Sequence, residues 1–180
     1  MVYMFLANGF EEVEALCPLD LLRRAGVEVT TVGVGGESVV GTHGIVVGAD
    51  IPEIMYRDSA PEMIILPGGM PGAENLDNSR IVDSAIRVAS RNGGYLAAIC
   101  AAPMILGKRG LLAGKRAVCF PGFENYLEGA EIEQSKTVVR DGNIITAKGM
   151  GAAFEFGLVL VEALKGKEVA ERIRVSVFAD

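Results

Sequence analysis

The sequence predicts one doubly wound α/β domain over residues 1–180, with a mostly parallel sheet covered by helices on both faces. Short runs such as 2–7 and 62–69 are apolar at nearly every position, which is typical of strands buried on both faces. Longer segments with apolar residues at helical spacing separate these runs and stop at glycine. Hydrophobic residues make up 50% of the chain, which is enough for the core of one compact domain.

The first third of the chain predicts two strands, one helix and a small hairpin. A strand over 2–7 leads into a helix that stops at Gly26, a natural residue just past a helix end. Pro18 lies inside this helix, and we expect a bend or a weak point there. The β-branched run 27–34 predicts the second strand, and the alternation around glycines in 37–50 predicts a hairpin-like excursion.

The middle of the chain predicts a strand–helix–strand unit. The strand over 62–69 ends in the tight turn Pro-Gly-Gly. Asn78 is the predicted cap of a helix that continues to the glycines at 93–94, and the next strand covers 95–100. A short helix over 102–114 follows.

The last third predicts a short strand, a hairpin and two helices. The strand covers 116–120, and the hairpin over 136–147 turns at Asp141-Gly142. A long helix with a broad apolar face covers 151–166, and a final short helix covers 167–173.

Composition excludes several classes of function. The net charge is −6, from 17 basic and 23 acidic residues, and no Lys/Arg-rich run marks a nucleic-acid binder. The N-terminus lacks the basic region of a signal peptide, and no apolar run reaches the length of a membrane span, so we expect a cytoplasmic protein. Three scattered cysteines and a single histidine argue against a disulfide framework, a metal site and a Ser-His-Asp triad. We expect neither a metal nor a cofactor.

Four loops are predicted to form the ligand-binding edge. In doubly wound sheets, ligands bind beyond the carboxyl ends of the strands, at the point where the strand order reverses. The loops at that edge are Asn8–Glu14, Leu66–Gly72, Cys100–Pro103 and Phe120–Glu124.

Cys100 is the candidate nucleophile. It ends a strand and precedes a helix, where the first helical N–H groups stabilise a thiolate. The small Ala101 permits a sharp turn, and Pro103 suits the first helical turn. The alternative is that Cys100 is a buried core cysteine. The spacing alone favours neither the nucleophile nor the core residue. Cys17 and Cys119, neither of which begins a helix, are expected to be structural.

Glu14 is the candidate proton donor. It lies in the first turns of the first helix, beside Glu11 and Glu12, which fit ordinary acidic enrichment at a helix N-terminus. A carboxyl group pressed against a thiolate has a raised pKa, stays protonated and donates a hydrogen bond to sulfur.

Backbone N–H groups complete the predicted site. Gly68 and Gly69 follow a strand, and with the Ala101 N–H they are candidates for an oxyanion hole, although Gly-Gly also fits a plain turn. The segment 148–151 precedes the long helix but completes no nucleotide-binding glycine pattern, since Phe154 stands where a third glycine is needed.

Five ordered segments carry a family resemblance. The segments "NGFEEVEAL", "PLDLLRRAG", "ILPGGMPGAENL", "AAICAAPMIL" and "GAAFEFGLVLVEALKGKEVA" span nearly the whole chain. Together they resemble the DJ-one/ThiJ/PfpI superfamily, in the branch of the Parkinson-associated deglycase and its bacterial ThiJ-like relatives.

The resemblance implies a flavodoxin-like sandwich and a homodimer. It implies a reactive cysteine at Cys100, a glutamate partner at Glu14 and backbone donors at Gly69 and Ala101. The activities it implies are cofactor-free conversion of methylglyoxal to lactate, deglycation of early glyoxal adducts on proteins and nucleotides, stress sensing through cysteine sulfinate, and chaperone action.

Three positions depart from the family pattern. Ala101 stands where the protease branch has a histidine, so a Cys-His dyad is absent at that step and peptidase activity is not expected. Phe120 replaces a histidine of the human-like branch, and His43 stands where an arginine is often found. We expect His43 to be an exposed loop residue. The alternative is that its side chain reaches into the pocket of the same subunit or of a partner subunit.

The resulting expectation is a glyoxalase or deglycase acting on small dicarbonyls or their adducts, with Cys100 as nucleophile and Glu14 as proton shuttle. The alternative is an oxidative-stress sensor or redox-regulated chaperone that works through a Cys100 sulfinate.

Overall fold

The fold is a central sheet with helices on both faces. The structure is a computed structural model that describes residues 1–57 and 60–179, so residues 58, 59 and 180 of the predicted domain lie outside the described residues. The strands are β1 (Val2–Ala7), β2 (Val29–Val34), β3 (Ser38–Val40), β4 (Val46–Gly48), β5 (Ile51–Pro52), β6 (Met63–Leu66), β7 (Tyr95–Ile99), β8 (Arg116–Ala117), β9 (Glu131–Ile132), β10 (Val138–Asp141) and β11 (Ile144–Ala147). The helices are α1 (Glu12–Arg24), α2 (Gly72–Asp77), α3 (Arg80–Arg91), α4 (Pro103–Gly107), α5 (Ala153–Lys165) and α6 (Lys167–Ser176).

The main sheet has the predicted doubly wound character. Its seven strands run in the order β10-β11-β7-β6-β1-β2-β5. All neighbouring pairs are parallel except β10 and β11, which form the antiparallel hairpin predicted over 136–147. Strands β3 and β4 pair antiparallel, which confirms the small hairpin excursion.

Side chains that alternate along each strand feed two separate cores. On one face, Met4 and Leu6 of β1 belong to a buried cluster with residues of α1, α5 and α6. On the other face, Tyr3 and Phe5 belong to a cluster with residues of α2, α3 and α4. Because successive side chains of a strand point to opposite faces, a strand covered on both faces is apolar throughout, which explains the uninterrupted run in β1.

Several predicted boundaries need correction. The cap of α3 is Ser79, whose side chain accepts the N–H of Val82, whereas Asn78 is the last residue of the preceding turn. Asn78 is the C-cap of α2, a helix that the sequence analysis missed because it is short and begins soon after the Pro-Gly-Gly turn.

Two elements are shorter than predicted, and one turn is shifted. The helix over 102–114 ends at Gly107, and Gly110 takes a φ of +69° that a helix does not allow. The strand over 116–120 keeps only β8, because Val118 N–H then donates to the side chain of Thr146 instead of a strand neighbour. The β10–β11 turn is at 142–143, since Asp141 still pairs with Ile144.

The ends of the remaining elements agree closely with the prediction. Helix α1 stops at Arg24, and Gly26 follows with a φ of +70°, as expected just past a helix end. Pro18 lies inside α1 as predicted. In contrast, α6 extends three residues past its predicted end to Ser176, and the strand predicted over 62–69 keeps only β6. Within the described part of the chain, every helix is too short or too polar to cross a membrane.

Candidate active site

The loops after β1, β6 and β7 meet at the point where the strand order reverses. The chain places β2 on one side of β1 and then crosses to put β6 on the other side. This crossing opens a crevice beyond the carboxyl ends of the strands, and the residue runs predicted to bind ligand reach it.

Cys100 occupies the turn between β7 and α4. Its φ is +65°, a value that residues other than glycine rarely adopt. Two backbone hydrogen bonds hold this conformation: its N–H donates to the Ala147 carbonyl at 2.9 Å, and its carbonyl accepts the Phe120 N–H at 2.8 Å. The side chain is only partly buried. A strained turn with a partly exposed thiol favours the nucleophile reading over that of a core cysteine.

Glu14 lies against the Cys100 sulfur. The Glu14 residue is 1% exposed, and its carboxyl group is hydrogen-bonded to the Cys100 thiol group. The other contact of the carboxyl group is with Gly68, whose N–H donates to Oε2 at 3.1 Å. The structure therefore brings together the two residues that the sequence analysis paired.

Backbone donors surround the sulfur. The N–H groups of Gly69 and Ala101 both hydrogen-bond to Cys100. Gly68 has to be glycine, since a Cβ there would overlap Glu14 Oε2 and Cys100 Cβ. Gly69 has a φ of +88° and packs directly on the backbone of residues 9–11. The N–H groups of Gly69 and Ala101 thus hydrogen-bond to the sulfur, whereas the Gly68 N–H donates to the Glu14 carboxyl group.

Burial dominates the ionisation of the pair. Burial, with the negative charge of Glu11, raises the pKa of Glu14 from 4.5 to about 7. Burial also raises the pKa of Cys100 from 9.0 to about 12, and an ionised Glu14 adds to this through its charge and its hydrogen bond. The N–H groups of Gly69 and Ala101 offset only part of the increase.

A thiolate at Cys100 therefore depends on a protonated Glu14. When the carboxyl group holds the proton, its negative charge disappears and its O–H donates to sulfur, so two of the effects that raise the thiol pKa are removed. The pair shares one proton above neutral pH and titrates as a unit. This refines the sequence expectation, in which the helix N-terminus carried more of the stabilisation: α4 has only five residues.

Glu11 and Glu12 have individual roles that the sequence analysis did not assign. Glu11 caps α1, since its side chain accepts the Glu14 N–H at 2.7 Å. Glu12 is buried and accepts hydrogen bonds from the His43 N–H at 2.7 Å and the Thr42 hydroxyl at 3.2 Å. Although burial favours the neutral form, these hydrogen bonds and that of the His43 ring lower the Glu12 pKa to about 2.

His43 is an exposed loop residue, as the sequence predicted. Its side chain is 71% exposed, and its Nδ1 lies 2.8 Å from Glu12 Oε2, which raises the His43 pKa. Within this chain its partner is Glu12 and not the Glu14–Cys100 pair.

One group in the described part of the chain has ligand types suited to a metal ion. Ligand atoms of Glu11, Glu12 and His43 lie within 4.8 Å of one another. The Glu12 oxygens already accept hydrogen bonds from Thr42 and His43, so the contacts serve to fasten the β3–β4 hairpin to α1.

The other two cysteines have surroundings different from those of Cys100. Cys17 lies within α1, and burial raises its pKa. Cys119 is buried against the α2–α4 face of the sheet, and burial, with the charge of Glu124, raises its pKa to about 11. Neither thiol is activated by these surroundings, which agrees with the structural roles we expected.

The fold and the site define a flavodoxin-like α/β protein with a cysteine at a strand–helix turn and a buried glutamate hydrogen-bonded to it. The model of the DJ-1/PfpI family matches residues 1–163, and the chain belongs to this family.

Relatives and solved structures agree with this assignment along almost the whole chain. Protein dj-1beta of Drosophila melanogaster is 37% identical over 172 residues, which cover 94% of this chain and 92% of the relative. Its crystal structure matches with a TM-score of 0.94 at 35% identity, covering 99% and 97% of the two chains. Glutathione-independent glyoxalase DJR-1.2 of Caenorhabditis elegans is 32% identical over 158 residues, covering 88% of this chain and 84% of the relative. Oxidised DJ-1 of Toxoplasma gondii matches with a TM-score of 0.94 at 34% identity, covering 98% and 97%.

Proposed function

We propose that this protein is a cofactor-independent glyoxalase that converts methylglyoxal or glyoxal to the hydroxy acid, and that the same site deglycates early adducts of these dicarbonyls on proteins and nucleotides. The observation that carries the proposal is the Cys100 sulfur held between the Glu14 carboxyl group and two backbone N–H groups. A relative of 32% identity is named a glutathione-independent glyoxalase, which supports this reaction.

The first step forms a carbon–sulfur bond. The Cys100 thiolate attacks the aldehyde carbon of the dicarbonyl, and the carbonyl π electrons move to the oxygen. The Gly69 and Ala101 N–H groups lie on the sulfur and stabilise negative charge there and on the neighbouring oxygen as it develops. Glu14 supplies the proton that neutralises the alkoxide, and the product is a hemithioacetal.

The second step moves one hydrogen between carbons without an external oxidant. Glu14, now a carboxylate, removes the proton from the former aldehyde carbon, and the electron pair passes to the neighbouring carbonyl as an enediol forms. The proton then returns to the second carbon, and the hydroxyl proton passes from the first oxygen to the second, which leaves a thioester of the hydroxy acid. The first carbon is oxidised and the second is reduced. Water then displaces sulfur, and the thiol and the hydroxy acid are released.

An assay of lactate formation from methylglyoxal tests the proposal. Cys100→Ala should fall to the uncatalysed background, because no carbon–sulfur bond can form. Glu14→Gln should lower kcat about 100-fold, the usual contribution of a proton-transfer group. Cys17→Ala, which removes a thiol elsewhere on α1, should behave as wild type. Undiminished turnover by Cys100→Ala would refute the mechanism.

A second candidate function is oxidative-stress sensing at the same sulfur. Donors from Gly69, Ala101 and a protonated Glu14 suit the oxygens of a sulfinate as well as a thiolate. Intact-mass analysis after mild peroxide should show a gain of two oxygens confined to Cys100, and the gain should fall in Glu14→Gln. Equal oxidation of all three cysteines would count against this function.

We also propose that the protein forms a homodimer, as the family resemblance implies. Apolar side chains are exposed on the start of α1 and on the adjoining β3–β4 hairpin: Val13, Val40, Ile45 and Val46. A second copy of the chain would cover them. Light scattering should give twice the chain mass, and Val46→Glu should shift the protein toward the monomer. A monomeric wild type at micromolar concentration would contradict the proposal.

A further inference from the structure

Phe120 is a large, exposed apolar residue next to the Glu14–Cys100 pair. It is 48% exposed, whereas Phe5, Phe10 and Phe156 are buried in the two cores. Its backbone is fixed beside the nucleophile, because its N–H donates to the Cys100 carbonyl at 2.8 Å. The Phe120 side chain is therefore attached to a backbone held next to Cys100.

Gly149 lies between this ring and the carboxyl group. A Cβ built on Gly149 would lie 3.3 Å from Cδ2 of Phe120 and 3.8 Å from Oε1 of Glu14. The ring and the carboxyl oxygen thus border the same point, and the glycine leaves that point vacant. The φ of Gly149 is 167°, which is extended backbone that other residues adopt, so its backbone conformation does not require glycine.

The two borders of this space differ in chemistry. Glu14 presents the oxygen that moves the substrate's proton, and Phe120 presents an apolar ring edge that contributes no titrating group. A dicarbonyl held covalently by Cys100 carries its two reacting carbons near Glu14, so the substituent on the second carbon has the space over Gly149 to enter.

We propose that Phe120 and Gly149 form a subsite for the substituent on the second carbonyl carbon, and that this subsite selects 2-oxoaldehydes with a methyl or aryl group over glyoxal. This inference rests on the proposed glyoxalase function. Each buried methyl group should increase kcat/KM two- to fourfold at such a half-exposed surface, and an aryl ring packed on Phe120 should increase it about tenfold or more.

Substrate ratios in variants test the subsite. We would measure kcat/KM for glyoxal, methylglyoxal and phenylglyoxal, which differ only in that substituent. In Phe120→Ala the phenylglyoxal-to-glyoxal ratio should fall about tenfold, whereas Phe120→Leu should keep most of the methylglyoxal preference. Gly149→Ala fills the space and should lower the phenylglyoxal ratio most. Phe178→Ala, which removes an aromatic side chain 94% exposed near the C-terminus, is the matched control.

A purely structural role for Phe120 and Gly149 gives a different pattern. Damage to the fold would lower kcat/KM for all three substrates by the same factor and leave their ratios unchanged. Unchanged ratios in both Phe120→Ala and Gly149→Ala would overturn the inference.

Alkylation separates the subsite from the proposed reaction. Chloroacetaldehyde, chloroacetone and 2-chloroacetophenone carry the same three substituents, and the Cys100 thiolate displaces their chloride without turnover. Rates normalised to N-acetylcysteine should favour the phenyl compound in wild type, and Phe120→Ala should abolish the preference. If this preference is found but no dicarbonyl is turned over, the proposed function fails and the subsite stands. If turnover is found without any preference, the subsite fails alone.

Discussion

At the scale of single residues, the site depends on one shared proton. Burial raises the pKa of Glu14 to about 7 and that of Cys100 to about 12 when Glu14 is ionised. The sulfur receives N–H groups from Gly69 and Ala101, and the carboxyl group receives one from Gly68. The proton on Glu14 thus decides whether the pair presents a nucleophile.

The pH profile of Cys100 alkylation tests this dependence. In wild type, the first proton of the pair is lost near pH 7 from Glu14, and the ionised carboxyl group raises the Cys100 pKa, so alkylation by iodoacetamide should rise only well above neutral pH. In Glu14→Gln the midpoint should move down by about one pH unit or more, because the negative charge and the carboxylate acceptor that raise the Cys100 pKa are both removed.

Two controls account for alkylation of the other thiols and for the general effect of losing one negative charge. Subtraction of the Cys100→Ala rate eliminates Cys17 and Cys119, and Glu171→Gln removes an exposed carboxylate of α6. A midpoint that rises in Glu14→Gln would mean that Glu14 keeps its proton and donates it to a Cys100 thiolate.

At the scale of elements, an ion-pair network fastens the helix that follows Cys100. Arg109, just past α4, donates to Asp77 Oδ1 at 2.6 Å and to Asp83 Oδ1 at 2.9 Å. It also donates to the carbonyl groups of Ile105 and Asp77. The Arg109 side chain is only 15% exposed. These contacts tie the end of α2 and the start of α3 to the α4 segment and so hold the turn at Cys100.

Removal of the Arg109 side chain should destabilise the fold. Arg109→Ala removes the more buried cationic partner of both Asp77 and Asp83 and leaves them only Lys108 and Arg87, so we expect a loss of about 2 kcal/mol in the free energy of unfolding. Arg87→Ala is the matched control, because Arg87 pairs with Asp83 at 62% exposure, and it should cost less than about 0.5 kcal/mol. Urea denaturation measures both, and equal losses would show that the network adds nothing beyond a surface pair.

At the scale of the whole molecule, two glutamates of α1 make stability depend on pH in opposite directions. The folded pKa of Glu12 is lowered to about 2, so its contribution is present above pH 4.5 and is lost as pH falls through 2. The folded pKa of Glu14 is raised to about 7, so its contribution is present below pH 4.5 and is lost as pH rises through 7. These two groups together favour a stability maximum near pH 4.5.

Glu14→Gln should remove the loss above that maximum. The free energy of unfolding of the variant, relative to wild type, should increase by up to about 3 kcal/mol between pH 4.5 and pH 8, because the variant no longer ionises a buried carboxyl group. Chemical denaturation at several pH values measures this difference. Glu171→Gln should show a constant difference over the same range. A flat difference for Glu14→Gln would contradict the raised pKa.

The elements and their order were predictable because their signals are local. The signals are apolar runs without interruption, apolar residues at helical spacing, and glycines at helix ends. Each depends only on the local backbone and on the spacing of buried residues, and together they predicted the parallel sheet and both hairpins. Ser79 was missed as the cap of α3 because several cap-forming residues stand together at 75–79, and local sequence does not decide which side chain reaches the helix.

The sequence by itself determined the sheet type, the turn that displays Cys100 and the choice of Glu14 as its partner. Only the tertiary structure decided that the buried Glu12 accepts hydrogen bonds from His43 and that the Gly68 N–H donates to the Glu14 carboxyl group. It also decided that Phe120 and Gly149 lie next to Glu14. The physical reason is that these contacts join residues from separate loops. Their proximity, and the desolvation that sets the pKa of Glu14 and Cys100, exist only once the strands have packed side by side.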